Sequence, residues 1–265
     1  MSVVGVCSAK GSPGATTTAL VLATSATWRD QAIVVEADPA GGDLASRLGI
    51  PSEPGLTSLA AAGRRELSAE LVEKHCQHVA GIDIVAAPAG ASAARSALRV
   101  LGDALPSALR TMMDKLIICD LGRLDADSAS LATAKAADVI LVVTRPLLAD
   151  LAHVAEETEA WSRIGPPVGL VLSGEPGTVR RERYPAPEVS AALGLEVLGT
   201  LAWDPKGVAA LLSHRREVKR SALVQSADGL ARCLDQRLRG PADEATTALG
   251  GHQVPGTAAT AGAEL

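Results

Sequence analysis

The 265-residue sequence contains no phenylalanine and a single tyrosine, and its other aromatics are Trp28, Trp161 and Trp203. An interior so poor in rings must be packed from Leu, Val, Ile and Ala, and a surface that reads nucleic acid by stacking bases on a row of aromatics is excluded. Cysteine is also sparse. Cys7, Cys76, Cys119 and Cys233 lie far apart, and Cys7 and Cys119 sit in apolar runs, so the expectation is a reduced, cytoplasmic protein without a disulfide framework. No apolar run reaches the roughly 18 residues of a membrane span, and the first residues, MSVVGVCSAKG, lack the basic start and apolar stretch of a secretory leader. The formal net charge of −5 argues against a globally basic nucleic-acid binder but leaves a local basic patch open.

What is present suits one sizeable core. With 47% hydrophobic and 21% charged residues, residues 1–239 are expected to form a single domain. Short β-branched runs at 2–7, 32–36, 82–86, 116–120, 139–144, 168–173 and 196–201 alternate with longer Ala- and Leu-rich stretches. That alternation predicts an α/β fold of three layers, a mostly parallel sheet with helices on both faces. Residues 93–113 read as helix interrupted at Pro106, residues 147–164 as an amphipathic helix ended by Gly165-Pro166-Pro167, and 174–187 as an exposed connection. Residues 240–265, rich in Pro, Gly, Ala and Thr, bury too little to order themselves and read as a flexible tail.

The chemistry concentrates after the first strand, in Ala9-Lys10-Gly11-Ser12-Pro13-Gly14-Ala15-Thr16-Thr17. A strand, a glycine-rich turn and a helix starting near Ala15 would set backbone N–H groups around a phosphate, with the Thr16 hydroxyl placed for Mg²⁺ and Thr17 beside the phosphates. The spacing is that of a phosphate-binding loop, except that Ala15 stands where a lysine belongs. Two later strands end in acids. Ile33 to Asp43 delivers Glu36 and Asp38 at i and i+2, with Asp43 near the start of a following helix; Leu116 to Asp120 presents one carboxylate to a metal or its water shell. His75-Cys76-Gln77-His78 lacks a second ligand pair and reads as the polar surface of a helix after Leu71.

Residues 10–17 resemble the deviant loop of the MinD/ParA family of dimeric ATPases, Lys-Gly-Gly-x-Gly-Lys-Thr-Thr, with Ser12 for a glycine and Ala15 for the second lysine. In character the chain is similar to the septum-site and partition proteins and to the TadZ/CpaE type of pilus positioning. The resemblance implies a P-loop NTPase fold, ATP and Mg²⁺ as ligands, and a homodimer that positions chromosome, septum or pilus and secretion components. It implies that Lys10 crosses a dimer to the partner's phosphates and that Asp38 orients water in the switch region. It also places Gly11, Ser12, Pro13, Gly14, Ala15, Thr16 and Thr17 around the nucleotide, Asp204 and Pro205 beside its base, and Thr16 and Asp120 on Mg²⁺. Glu36 stands where the family usually has Asp.

The missing lysine would weaken triphosphate binding by about one to two powers of ten and slow hydrolysis more. Both a slow ATPase and a pseudo-ATPase scaffold that needs no nucleotide remain open. Membrane attachment by the chain alone is not expected, since the sequence after Gly240 is not amphipathic. A third reading, non-specific DNA binding of the ParA type, rests on the basic run Arg215, Arg216, Lys219 and Arg220, and its alternative is a solvated helix face.

Overall fold

Strand β1 (Ser2–Ser8) divides its side chains between two cores: Val3 and Cys7 face one, Val4 and Val6 the other. Strand β2 (Ala32–Glu36) does the same, with Ile33 and Val35 opposite Ala32 and Val34. Apolar residues on both faces of a strand require cover on both sides, and the fold supplies it. The computed structural model describes residues 1–10, 13–28, 31–79, 81–174, 183–213 and 221–239.

Between β1 and β2 runs α1 (Ala15–Ala23). Then follow α2 (Leu44–Leu48), α3 (Leu56–Ala62), α4 (Ala69–Lys74), β3 (Gln77–Val79), β4 (Ile82–Val85), α5 (Ala91–Leu101) and α6 (Ala104–Leu109). The second half carries β5 (Leu116–Arg123), α7 (Leu131–Lys135), β6 (Val139–Thr144), α8 (Leu148–Ser162), β7 (Val168–Ser173), α9 (Ala186–Leu193), β8 (Glu196–Leu201), α10 (Pro205–Leu212) and α11 (Ala222–Arg239). Among the described residues the sheet runs β3-β4-β2-β5-β1-β6-β7-β8, parallel throughout except for the antiparallel pair β3–β4. One face packs on α1, α10 and α11 through Leu20, Leu22, Leu211, Leu230 and Leu234; the other carries α3, α5, α6 and α8, with Trp161 fully buried there. These are the three layers expected. The central β1 lies where the chain's connections part to either side, and the crevice above its carboxyl end is the natural ligand site of such a sheet.

Four sequence expectations change. The helix break falls at Gly102 (φ +43), whereas Pro106 sits within the first turn of α6, where its missing N–H has no intrahelical role. His75 and His78 do not share a helix: α4 ends at Lys74, His75 is its C-cap, and His78 lies in β3 with Nδ1 2.8 Å from an Asp83 carboxylate oxygen. Strand β5 continues past Asp120 to Arg123. The connection before β8 is shorter than expected, since Ala186 already begins α9. No helix among the described residues is long and apolar enough to cross a membrane. The four cysteines are free, and burial pushes the Cys119 thiol up to about 12, so it stays protonated and inert.

Candidate functional site

Gly14 ends the glycine-rich turn in a left-handed conformation (φ +102) that favours glycine, and it occupies the N-cap of α1. No side chain caps this helix and no acid lies in its first turn, so its leading N–H groups are open to an anion. Above it opens a cleft of about 530 Å³ lined by Pro13, Gly14, Ala15, Thr16 and Thr17 on one side. Gly11 and Ser12 lie outside the described residues. Ala15 is buried against the α1 core, and Lys10 stands exposed at the loop edge, outside the residues that line the cleft.

Three carboxylates gather behind this loop, each held differently. Asp120 is fully buried; its Oδ1 accepts from the Gly122 amide at 3.2 Å, while Oδ2 has no hydrogen-bond partner among the described residues. Burial pushes Asp120 up to about 7, the Glu36 and Asp38 charges add to that, and the neighbouring Thr16 hydroxyl and Gly122 amide oppose it. Asp38 lines the cleft and accepts from the Ala40 amide at 2.7 Å, which folds its loop; burial raises its carboxyl as well. Glu36 is buried and lies outside the cleft's lining. Its Oε1 accepts from the amides of Asp43 (2.6 Å) and Leu44 (3.0 Å), and its Oε2 from Ala87 (2.9 Å). The side chain is therefore a clamp tying the Asp38–Asp43 loop to the end of β4, a reach that sequence could not show. Asp43 occupies the N-cap of α2 without capping it and instead pairs with Arg47 at 2.8 Å.

A register shift carries β5 into the same site. Val6 pairs with Asp120 but Cys7 with Gly122, so Leu121 is an extra residue, and Arg123 comes to lie beside Ser8. The bulge brings Gly122 and Arg123 into the cleft lining. The far wall is Ser173, Gly174, Ala202, Trp203, Asp204, Pro205 and Val208. Asp204 caps α10, accepting from Gly207 at 2.8 Å and from Leu223 at 3.5 Å; these amides, Gly207 foremost, lower its carboxyl's affinity for a proton. It braces the wall, and Trp203, 55% exposed, presents the aromatic surface there. Thus Pro13 to Thr17, Asp38, Asp204 and Pro205 meet in one cleft with Asp120 beneath it, while Arg215, Arg216, Lys219 and Arg220 lie outside the described residues. Trp203 belongs to the segment Ala202-Trp203-Asp204-Pro205 that sequence resemblance sets beside the base, whereas Arg47 and Arg123 carry no sequence signal, because they depend on a helix turn and a bulge formed only in the fold.

The donor set suits Mg²⁺, which takes one or two carboxylates and leaves its other positions to water and phosphate. Thr16 and the unpartnered Asp120 oxygen fit that need at the mouth of an uncapped helix. Among the described residues no cluster of three or more His, Cys, Asp or Glu could hold a metal by itself.

No protein-family model and no curated protein sequence matches the chain. Solved structures do. A ParA family ATPase from Chlorobium tepidum TLS superposes with a TM-score of 0.71 at 20% identity, covering 87% of this chain and 97% of its own. The septum site-determining protein MinD from Pyrococcus horikoshii OT3, complexed with Mg-ADP, gives 0.70 at 18% identity over 90% and 97%. A Cyanothece McdA variant in complex with ATP gives 0.67 at 18% identity over 89% and 96%. The chain has the MinD/ParA P-loop ATPase fold.

Proposed function

We propose that this chain is a nucleotide-dependent switch of the MinD/ParA kind, binding Mg-ATP in the cleft and pairing with a second copy of itself to position other cellular machinery. Chromosome, septum and pilus or secretion components are the class of cargo, and the cytoplasm the compartment. The observation that carries the reading is the buried, unpartnered oxygen of Asp120 beside Thr16 at the N-terminus of the uncapped α1. When bound, the metal would neutralise phosphate charge. The chain's own part is to cradle phosphates with the backbone N–H groups of Gly14 to Thr17, to hold the cation with Thr16 and Asp120, and to keep Asp38 over the site. Trp203, Asp204 and Pro205 form the wall against which the base rests. Lys10 is exposed and, among the described residues, engages no ion pair, as a side chain that crosses to a partner's phosphates requires. Residues 1–239 are the proposed switch domain, and residues 240–265 lie outside the described residues.

With Ala15 in place of a lysine, hydrolysis is weak or absent and binding outlasts turnover. Ala15 also favours a second reading, a scaffold that pairs and recruits without nucleotide. Light scattering separates the two: Mg-ATP doubling the particle mass while Mg-ADP does not supports the switch, and a mass indifferent to nucleotide supports the scaffold. The basic run of Arg215, Arg216, Lys219 and Arg220 would add non-specific, salt-dependent DNA contact. Retardation of duplex DNA that survives charge reversal at Arg215, Arg216 and Arg220 would refute that addition.

A further inference from the structure

We infer that Arg123 supplies the cation that Ala15 withholds, binding the terminal phosphoryl group of a nucleoside triphosphate from within the same chain. The inference rests on the nucleotide-binding reading above and names the residue that makes it workable.

Three observations place Arg123 there. First, the extra residue at Leu121 sets Arg123 opposite Ser8, where the phosphate loop leaves β1, and the Leu124 amide donates to the Ser8 carbonyl at 3.2 Å, fixing this register. Arg123 is thereby in the lining of the cleft shared by Gly14, Ala15 and Thr16. Second, Arg123 is exposed and, among the described residues, its side chain engages no hydrogen bond or ion pair. The other cation in the lining, Arg47, is held by Asp43 at 2.8 Å. Third, the carboxylates in the lining outnumber the cations. Asp38, Asp43 and Asp204 line the cleft with Arg47 and Arg123, and Arg47 is taken up by Asp43. A triphosphate adding several more charges needs a fixed positive group besides its metal.

A guanidinium meets the need in a way a lysine at position 15 would not. It stays charged and offers paired N–H donors to two phosphate oxygens. Because it comes from β5 and not from α1, it approaches from beside Asp38 and Gly122. Contact with the terminal phosphoryl makes its contribution larger for a triphosphate than for a diphosphate. Lys10, by contrast, lies outside the cleft lining in the single chain.

The test is a titration with Mg-ATP and Mg-ADP followed by the change in Trp203 emission, Trp28 and Trp161 being buried and outside the cleft lining and so contributing a constant background. It compares the unaltered chain with R123A, R123K, A15K and A15K/R123A, each checked by its melting transition. The expected result is a loss of about ten- to a hundredfold in ATP affinity for R123A, a smaller loss for ADP, and partial retention in R123K. A15K should restore ATP affinity in the R123A background and add less to the unaltered chain. ATP affinity unchanged in R123A, or an equal gain from A15K in both backgrounds, overturns the inference and leaves the nucleotide reading standing. No binding by the unaltered chain, confirmed by calorimetry, overturns both.

Discussion

Gly122 sits directly over Asp38: a Cβ added at position 122 would lie 2.1 Å from the Asp38 Cγ. The same glycine adopts φ +62 at the bulge that turns β5 into the cleft, so its lack of a side chain permits both the turn and the approach. The G122A variant should lose about 1–3 kcal/mol in denaturant unfolding. The G81A variant is the control, since Gly81 has φ +82 and open space around it and should lose only the conformational part, about 1 kcal/mol. Equal losses in the two would show that the Asp38 contact costs nothing.

Glu36 satisfies three backbone amides through two oxygens. Removing it leaves the Leu44 and Ala87 donors buried, each worth about 1–3 kcal/mol, and the part-buried Asp43 donor unpaired. The E36A variant should therefore be destabilised by at least about 2 kcal/mol, and exchange of the Asp43, Leu44 and Ala87 amides should rise together in a hydrogen-exchange experiment. Loss at one amide alone would mean that the clamp does not act as a unit.

The folded Asp120 titrates near 7, above the ordinary carboxylate value of 3.8, so the folded chain holds this proton more tightly than the unfolded one. Its contribution to stability is full below the unfolded value and is lost as pH rises from about 4 through 7. The ligand-free protein should therefore melt at lower temperature at pH 8 than at pH 5. The D120N variant should flatten part of that slope, with Glu36 and Asp38, also raised by burial, keeping the rest. A slope unchanged in D120N would contradict the assignment.

Trp203 is the exposed tryptophan of the three and forms part of the cleft wall. Stacking on an aromatic face contributes about 1–3 kcal/mol per base. The W203A variant should weaken ATP binding by about tenfold while leaving the melting temperature near its original value. A large drop in melting temperature would instead assign the ring a structural role.

Most of the parallel sheet was legible because its strands are short apolar runs covered on both faces, a pattern carried by neighbouring residues alone. The phosphate loop was legible for the same reason: Gly14, Ala15 and Thr16 are contiguous. What escaped depends on distance. Gln77–Val79 is too short to show a period and becomes a strand only by pairing with β4. Glu36 meets Ala87, 51 residues away, and Arg123 reaches the cleft only through a bulge against β1. Pro106 drew the helix break to itself because a proline inside a helical run reads as an interruption, although a first-turn position tolerates it.

The central claim is that the cleft binds a metal-bound nucleotide despite Ala15. Calorimetric titration of the full chain with ATP, in the presence and absence of Mg²⁺, tests it most directly. Saturable heat with one nucleotide per chain, strengthened by Mg²⁺ and diminished in D120N, is the predicted result. No heat at high ATP concentration with Mg²⁺ present, and no change in particle mass, would contradict it.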